Sequence, residues 1–187
     1  GSVRTQDAPD GAVSLQHHLQ ENPPEGFDQD DIAALVLVLY GASFNLSHTL
    51  GNALHWVLSL PWDLRRDVQD PAWTNARLEE IISTCGSPKF IYRHARHDTK
   101  VGDLDVLAKD TACIHLNAVN LGTQTGHLSF GHGLHHCVGA SLSRLLLRRA
   151  IPAVFQRYPS IRLSSQGHSY FEMSQTVAMK SLLCDLF

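Results

Sequence analysis

A chain of 187 residues with 43% hydrophobic and 18% charged content is long enough to bury the core of a soluble domain. Its formal net charge of −3, with histidine neutral, excludes the global basic field expected of a protein that binds nucleic acid or anionic lipid. The cysteines (Cys85, Cys113, Cys137 and Cys184) lack paired spacing, which argues for reduced thiols in the cytoplasm rather than a disulfide framework.

Gly1-Ser2 reads as a tag remnant with no signal peptide behind it. Residues 1–30 form a polar N-terminal segment, with a short helix around "VSLQHHLQ" and a break at Pro23-Pro24; 31–187 read as a single domain. Asp28, Asp30 and Asp31 place acids at the start of a long apolar segment, where a helix's positive end favours them. Ile32 to Leu60 contains no Asp, Glu, Lys or Arg, a run long enough to raise the question of a membrane span. Its middle, "GASFNLSHTLGN", is too rich in hydroxyl, amide and imidazole groups to face lipid. The pattern predicts a long helix through the centre of a soluble domain and no membrane.

Pro61 ends that helix. A short helix, a proline-marked turn and a second helix from about Thr74 to Thr84 follow. From Lys89 to Asn120 the alternation predicts short strands, with turns near Gly102 and Lys109-Asp110, and "NLGTQTGH" reads as a loop. The next helix spans about Cys137 to Tyr158, with Val138, Leu142, Leu145, Leu146, Ala153 and Val154 at helical spacing and Pro152 expected to kink or divide it. The tail from Ile161 reads as returning strands.

The stretch "HLSFGHGLHHCVGASLSRLLLRRA", His127 to Ala150, carries the chemistry. Phe130, Gly131, Gly133, Cys137 and Gly139 make a glycine-loosened loop that delivers one thiol to a helix start, where the dipole and open backbone N–H groups stabilise a thiolate. Glycines let such a backbone approach a flat ligand closely. A lone thiolate suits an axial iron ligand, since a macrocycle supplies the equatorial nitrogens, whereas structural zinc needs four protein ligands. Zinc held by His127, His132, His135, His136 and Cys137 is the weaker alternative, because the spacing matches no common tetrahedral site. The plainest reading of Cys137 is a small buried hydrophobe.

"FGHGLHHCVG" resembles the heme-binding loop of the cytochrome P-450 superfamily, the heme-thiolate monooxygenases. The resemblance implies a mainly α fold with small β-sheets (α+β), with a long central distal helix and a proximal cysteine-loop helix. It also implies heme b (iron protoporphyrin IX) as cofactor, Cys137 as iron ligand, and His135 and Arg93 (of "SPKFIYRHA") facing heme propionates. The Ile32–Leu60 helix resembles the family's distal helix, "ARLEEIIST" its Glu-x-x-Arg helix with Glu80 in the glutamate position, and "FQRYPSIRL" with "TVAMKSLL" its ending. The likeness matches the C-terminal half of a typical member, a truncated form.

Departures matter as much. Ser83 stands where the family's arginine belongs, so a buried Glu80 would need a new partner or a raised pKa; otherwise it is an exposed helix glutamate. Phe44 and Asn45 occupy the positions of the family's proton-relay acid and threonine, leaving Ser43, Asn45 and His48 as the candidate distal groups. His48 has the alternative of being a helix histidine with its hydrogen bonds satisfied. The resemblance implies an enzyme tailoring a small-molecule substrate in bacterial specialised metabolism, by oxygen, peroxide or redox-neutral chemistry, with a ferredoxin-type redox partner where electrons are needed. An apolar distal face without cover implies a homo-oligomer or a partner chain. The alternative is a catalytically inactive relative that activates or recruits another enzyme.

Overall fold

The computed structural model describes residues 14–122 and 126–186, with the side chains of 15 and 16 left out. Gly1-Ser2, most of the polar segment's first half, and 123–125 of the predicted loop lie outside the described residues. The chain divides into two compact units, Gly1–Phe44 and Asn45–Phe187.

In the first unit, α1 (Leu15–Glu21) starts at Ser14, whose hydroxyl accepts the His17 N–H at 3.1 Å. Helix α2 (Gln29–Ser59) starts at the predicted acids. Asp28 Oδ1 accepts from the Asp30 and Asp31 amides, each at 2.9 Å, while Asp31 Oδ2 accepts the Asp28 N–H at 3.1 Å. This is a reciprocal capping box with aspartate where glutamate is usual. Burial along this helix is uneven. Ile32 is buried, but Leu37, Val38 and Tyr40 are exposed, and only 6% of the most apolar window of α2 is buried. By length and composition alone α2 could cross a membrane.

In the second unit, α2 continues and turns inward: Asn52, Ala53, Val57 and Leu58 are buried. After Pro61 come α3 (Trp62–Arg65) and α4 (Pro71–Cys85). The latter is capped by Asp70, which accepts the Ala72 N–H at 2.9 Å, with Pro71 in the first turn where its missing N–H costs nothing. Among the described residues three two-stranded antiparallel sheets follow: β1 (Phe90–His94) with β4 (Thr111–His115), β2 (Thr99–Val101) with β3 (Leu104–Val106), and β5 (Arg162–Tyr170) with β6 (Met179–Asp185). The predicted turns are present, with Gly102 and Lys109 both at positive φ.

Where a strand running into a loop is expected, the chain forms α5 (Leu116–Gly122). Its start is capped by an imidazole, His115 Nδ1 accepting the Ala118 N–H at 3.1 Å, a cap outside the usual Ser, Thr, Asp and Asn set. Helix α6 spans Ala140–Arg157, so Cys137 stands just ahead of it rather than within it. The helix runs on through Pro152, which is itself buried, so packing on both sides of the proline holds the two halves as one.

The core gathers Ala53, Val57 and Leu58 of α2, Leu78, Ile81, Ile82 and Cys85 of α4, and Leu147, Ile151 and Phe155 of α6. Each such aliphatic side chain contributes roughly 1.5–3 kcal/mol by leaving water. The buried face of α6 is therefore Ala140, Leu147, Ile151 and Phe155, not the predicted one. Val138, Leu142, Leu145, Leu146 and Ala153 are exposed, and only Val154 of that set packs against the core. Both stripes are apolar; the 4-residue spacing of Leu147, Ile151 and Phe155 against α4 decides which one turns inward.

Candidate functional site

The loop from His127 to Gly139 is built by backbone bonds that its glycines permit. The Gly131 N–H donates to Leu128 O at 2.8 Å, and the Cys137 N–H donates to Phe130 O at 2.8 Å, closing the loop on itself. Gly131 and Gly133 have φ near +71° and +70°, the left-handed region that side chains disfavour. A Cβ on Gly131 would also stand 3.3 Å from His135 O, so that position demands glycine twice over. A one-turn 3-10 helix, Gly133–His135, lifts the chain between them.

At the end of this turn Cys137 is exposed, which corrects the reading of a buried small hydrophobe. Leu134 and Val138 flank it at 96% and 94% exposure. Two apolar side chains held in the open beside a thiol form a surface that a flat apolar group would cover. Gly139 lies 3.7 Å from the sulfur by its added Cβ, an ordinary contact, so its role is to permit the turn into α6 rather than to clear the thiol.

Behind the loop, anchoring bonds tie it to the core. Ser129 Oγ donates to Ile82 O at 3.1 Å. Asn120 of α5 donates to Ser129 Oγ at 2.9 Å and accepts the Leu128 N–H at 2.8 Å, and it also donates to Ser83 O. Glu79 accepts from Arg144 Nε and Nη2, both at 2.8 Å, and from His127 Nε2 at 2.9 Å. Arg144's hydrogen bonds hold the Glu79 carboxyl down at about 2, against the upward push of partial burial, with His127 adding a smaller downward pull. The Arg144 guanidinium lies 4.7 Å from the Phe130 ring centre.

The structure brings Phe130, Gly131, Gly133, His135, Cys137 and Gly139 together in this one loop. His135 is exposed in the 3-10 turn. Arg93 lies elsewhere, exposed on β1 opposite Ala112, with Nη1 donating to Tyr92 O at 2.8 Å. On α2, the Ser43 hydroxyl donates back to Tyr40 O at 2.7 Å, and Asn45 is exposed. His48 Nδ1 donates to Met179 O at 3.1 Å, an arrangement that fits a hydrogen-bonded helix histidine. Glu80 takes the exposed alternative, with Arg77 at 3.4 Å. Among the described residues no three His, Cys, Asp or Glu side chains converge as a metal-holding group.

Glu79, Arg144 and Asn120 are neighbours of the loop that the sequence does not single out. The signal for Arg144 is its place in the second turn of the helix that follows the cysteine loop. Glu79 could not be told from Glu80 without knowing how α4 rotates.

The helix-rich chain with small sheets has a truncated cytochrome P-450-like fold, with a glycine-flanked cysteine ahead of a core helix. The comparisons agree. The chain is 27% identical over 176 residues to 6-deoxyerythronolide B hydroxylase of Saccharopolyspora erythraea, covering 86% of this chain and 40% of the relative. It is 32% identical over 158 residues to 2-hydroxy-5-methyl-1-naphthoate 7-hydroxylase of Streptomyces carzinostaticus, covering 73% and 37%. The solved structure of cytochrome P-450 CREJ in complex with (4-ethylphenyl) dihydrogen phosphate superposes with a TM-score of 0.81 at 21% identity, over 95% of this chain and 49% of that one, which speaks for the fold alone. No family model matches. The chain thus spans about two fifths of the length of these curated relatives and about half of the solved structure.

Proposed function

We propose that the chain is a heme-thiolate oxidoreductase that tailors a small molecule in bacterial specialised metabolism, with Cys137 as the axial iron ligand. One observation carries this reading: the Cys137 thiol stands exposed at the end of a turn closed by its own N–H to Phe130 O, between the fully open side chains of Leu134 and Val138. That donor set suits heme b: Cys137 would hold the iron, and Leu134 and Val138 offer apolar surface beside it. When bound, heme supplies oxidising chemistry tuned by the electron-rich thiolate. The names of relatives support the reaction class, since two are hydroxylases and a third, from Streptomyces exfoliatus, is pentalenolactone synthase.

The chain's own residues divide the remaining work. Phe130, Gly131, Gly133 and Gly139 shape the turn that presents the thiol. His135 and Arg93, both exposed, would serve as hydrogen-bond donors to the propionates. Ser43, Asn45 and His48 are the candidate groups for ordering water or a proton over the opposite face, with His48 Nδ1 already committed to Met179 O. A cytoplasmic location fits a chain with free thiols at Cys85, Cys113, Cys137 and Cys184.

A ferredoxin-type partner would find a suitable surface at an open groove of about 780 Å³, lined by Leu145, Arg148, Arg149 and Pro152 along α6. Its paired arginines complement an acidic protein. Exposed Leu37, Val38 and Tyr40 on α2 are apolar surface for which we propose cover by a second copy or a partner chain. The auxiliary-protein alternative is the weaker one, because a recruitment platform has no use for an exposed thiol on a glycine-rich turn.

The test is a hemin titration of the purified chain followed by turnover assays. One heme taken up per chain, with small-molecule oxidation supported by peroxide or by a ferredoxin and its reductase, is the expected result. A chain that takes up no heme contradicts the proposal and favours the auxiliary reading.

A further inference from the structure

Three side chains from separate segments meet behind the cysteine loop. Glu79 comes from α4, Arg144 from the second turn of α6, and His127 from the chain entering the loop. Arg144 grips both carboxylate oxygens of Glu79 at 2.8 Å, a bidentate fork that lysine cannot reproduce. The same guanidinium lies over Phe130. Phe130, in turn, offers its carbonyl to the Cys137 N–H. Glu79 is thereby linked to the cysteine's own backbone through two residues.

His127 adds a directional constraint. Its Nδ1 accepts the Ser129 N–H at 3.2 Å, so the ring hydrogen must be on Nε2, which donates to Glu79 Oε2. The two contacts fix the ring's orientation between the carboxylate and the loop backbone. His127's side chain is only 7% exposed, while Glu79's is 54% exposed. An isolated pair at that exposure would contribute little. Bidentate geometry, a third partner and ring stacking make this one a connected unit.

We infer that Glu79, Arg144 and His127 form a positioning clamp that sets the orientation of the Cys137 loop. Its consequence for iron ligation rests on the proposed heme reading; the clamp itself does not. None of the three touches the reacting atoms, so they are positioning residues.

Hydrogen–deuterium exchange on the full heme-free chain tests the clamp directly. Glu79→Gln and Arg144→Lys should each speed amide exchange across 128–139 about fivefold, the weight of one well-made but solvent-screened ion pair. Exchange in the buried 52–58 stretch of α2 should stay unchanged. His127→Ala should act likewise, and His127→Gln, which keeps a donor for Glu79, should restore most of the protection. In the heme-loaded chain, Glu79→Gln should raise the share of reduced carbon monoxide complex that lacks the thiolate band. Unaltered exchange in 128–139, or an equal rise in 52–58, overturns the clamp; a thiolate share that Glu79→Gln leaves unmoved overturns its consequence for iron ligation. Should the chain take up no heme, the exchange measurements still decide the clamp. Should Glu79→Gln fail to fold, Arg144→Lys carries the same comparison.

Discussion

Truncating Leu147 and Leu145 separately measures which stripe of α6 the core uses. Leu147 is 1% exposed among Leu78, Ile81 and Ile151, whereas Leu145 is 51% exposed. Leu147→Ala removes three carbons from a closed core, about 0.8 kcal/mol each in transfer, and leaves a cavity, giving about 3–4 kcal/mol. Leu145→Ala removes the same atoms from a half-solvated site and should cost less than about 1 kcal/mol. Trp56 and Trp73 pack against the same core, so tryptophan fluorescence reports the urea transition. With a slope of about 2 kcal/mol per molar urea, the Leu147 variant's midpoint should fall by about 1.5–2 M and the Leu145 variant's by less than about 0.5 M. Equal losses, or a larger loss for Leu145, would falsify the assignment of the buried face.

Gly131→Ala should destabilise the loop by about 1–2 kcal/mol, because φ near +71° and a neighbour 3.3 Å from the new Cβ both oppose it; Gly26→Ala, at φ +81° with open space, isolates the backbone part of that cost in melting experiments. Glu79's depressed pKa makes a pH-dependent contribution that is complete above its ordinary value of 4.5 and lost as pH falls through about 2. With the side chain 54% exposed, solvent screening reduces that contribution to about 1 kcal/mol. Glu79→Gln should therefore flatten the fall in stability below pH 4.5, which denaturation midpoints across that range would register or deny. Alkylation followed by mass spectrometry should label Cys113 and Cys137, both exposed, well before Cys85, whose thiol burial pushes up to about 12 with help from Glu80's charge. Early labelling of Cys85 would contradict the core as described.

The parts legible in the sequence are those set by short-range chemistry. The Asp28 cap, the Pro61 stop, the turns at Gly102 and Lys109, and the glycine spacing around Cys137 all act within a few residues, so order along the chain reveals them. Longer-range choices were not visible. Val138, Leu142, Leu145 and Leu146 make as good a helical stripe as Leu147, Ile151 and Phe155; only packing against α4 separates them. Helix α5 was missed because "CIHLNAV" keeps a strand-like alternation and its cap is an imidazole. The adjacent acids Glu79 and Glu80 differ in role only through the rotation of α4, which turns the first toward Arg144 and His127 and the second toward Arg77. A family pattern pointed to Glu80, yet in this chain the network forms one residue earlier.

The central claim is that the Cys137 thiolate ligates heme iron, and the reduced carbon monoxide spectrum of the hemin-loaded chain tests it most directly beside that of Cys137→Ala. The account predicts a thiolate-type Soret band in the parent chain and its complete loss in the variant. A thiolate-type band that persists in Cys137→Ala, or one that never forms in a parent chain carrying stoichiometric heme, would contradict it.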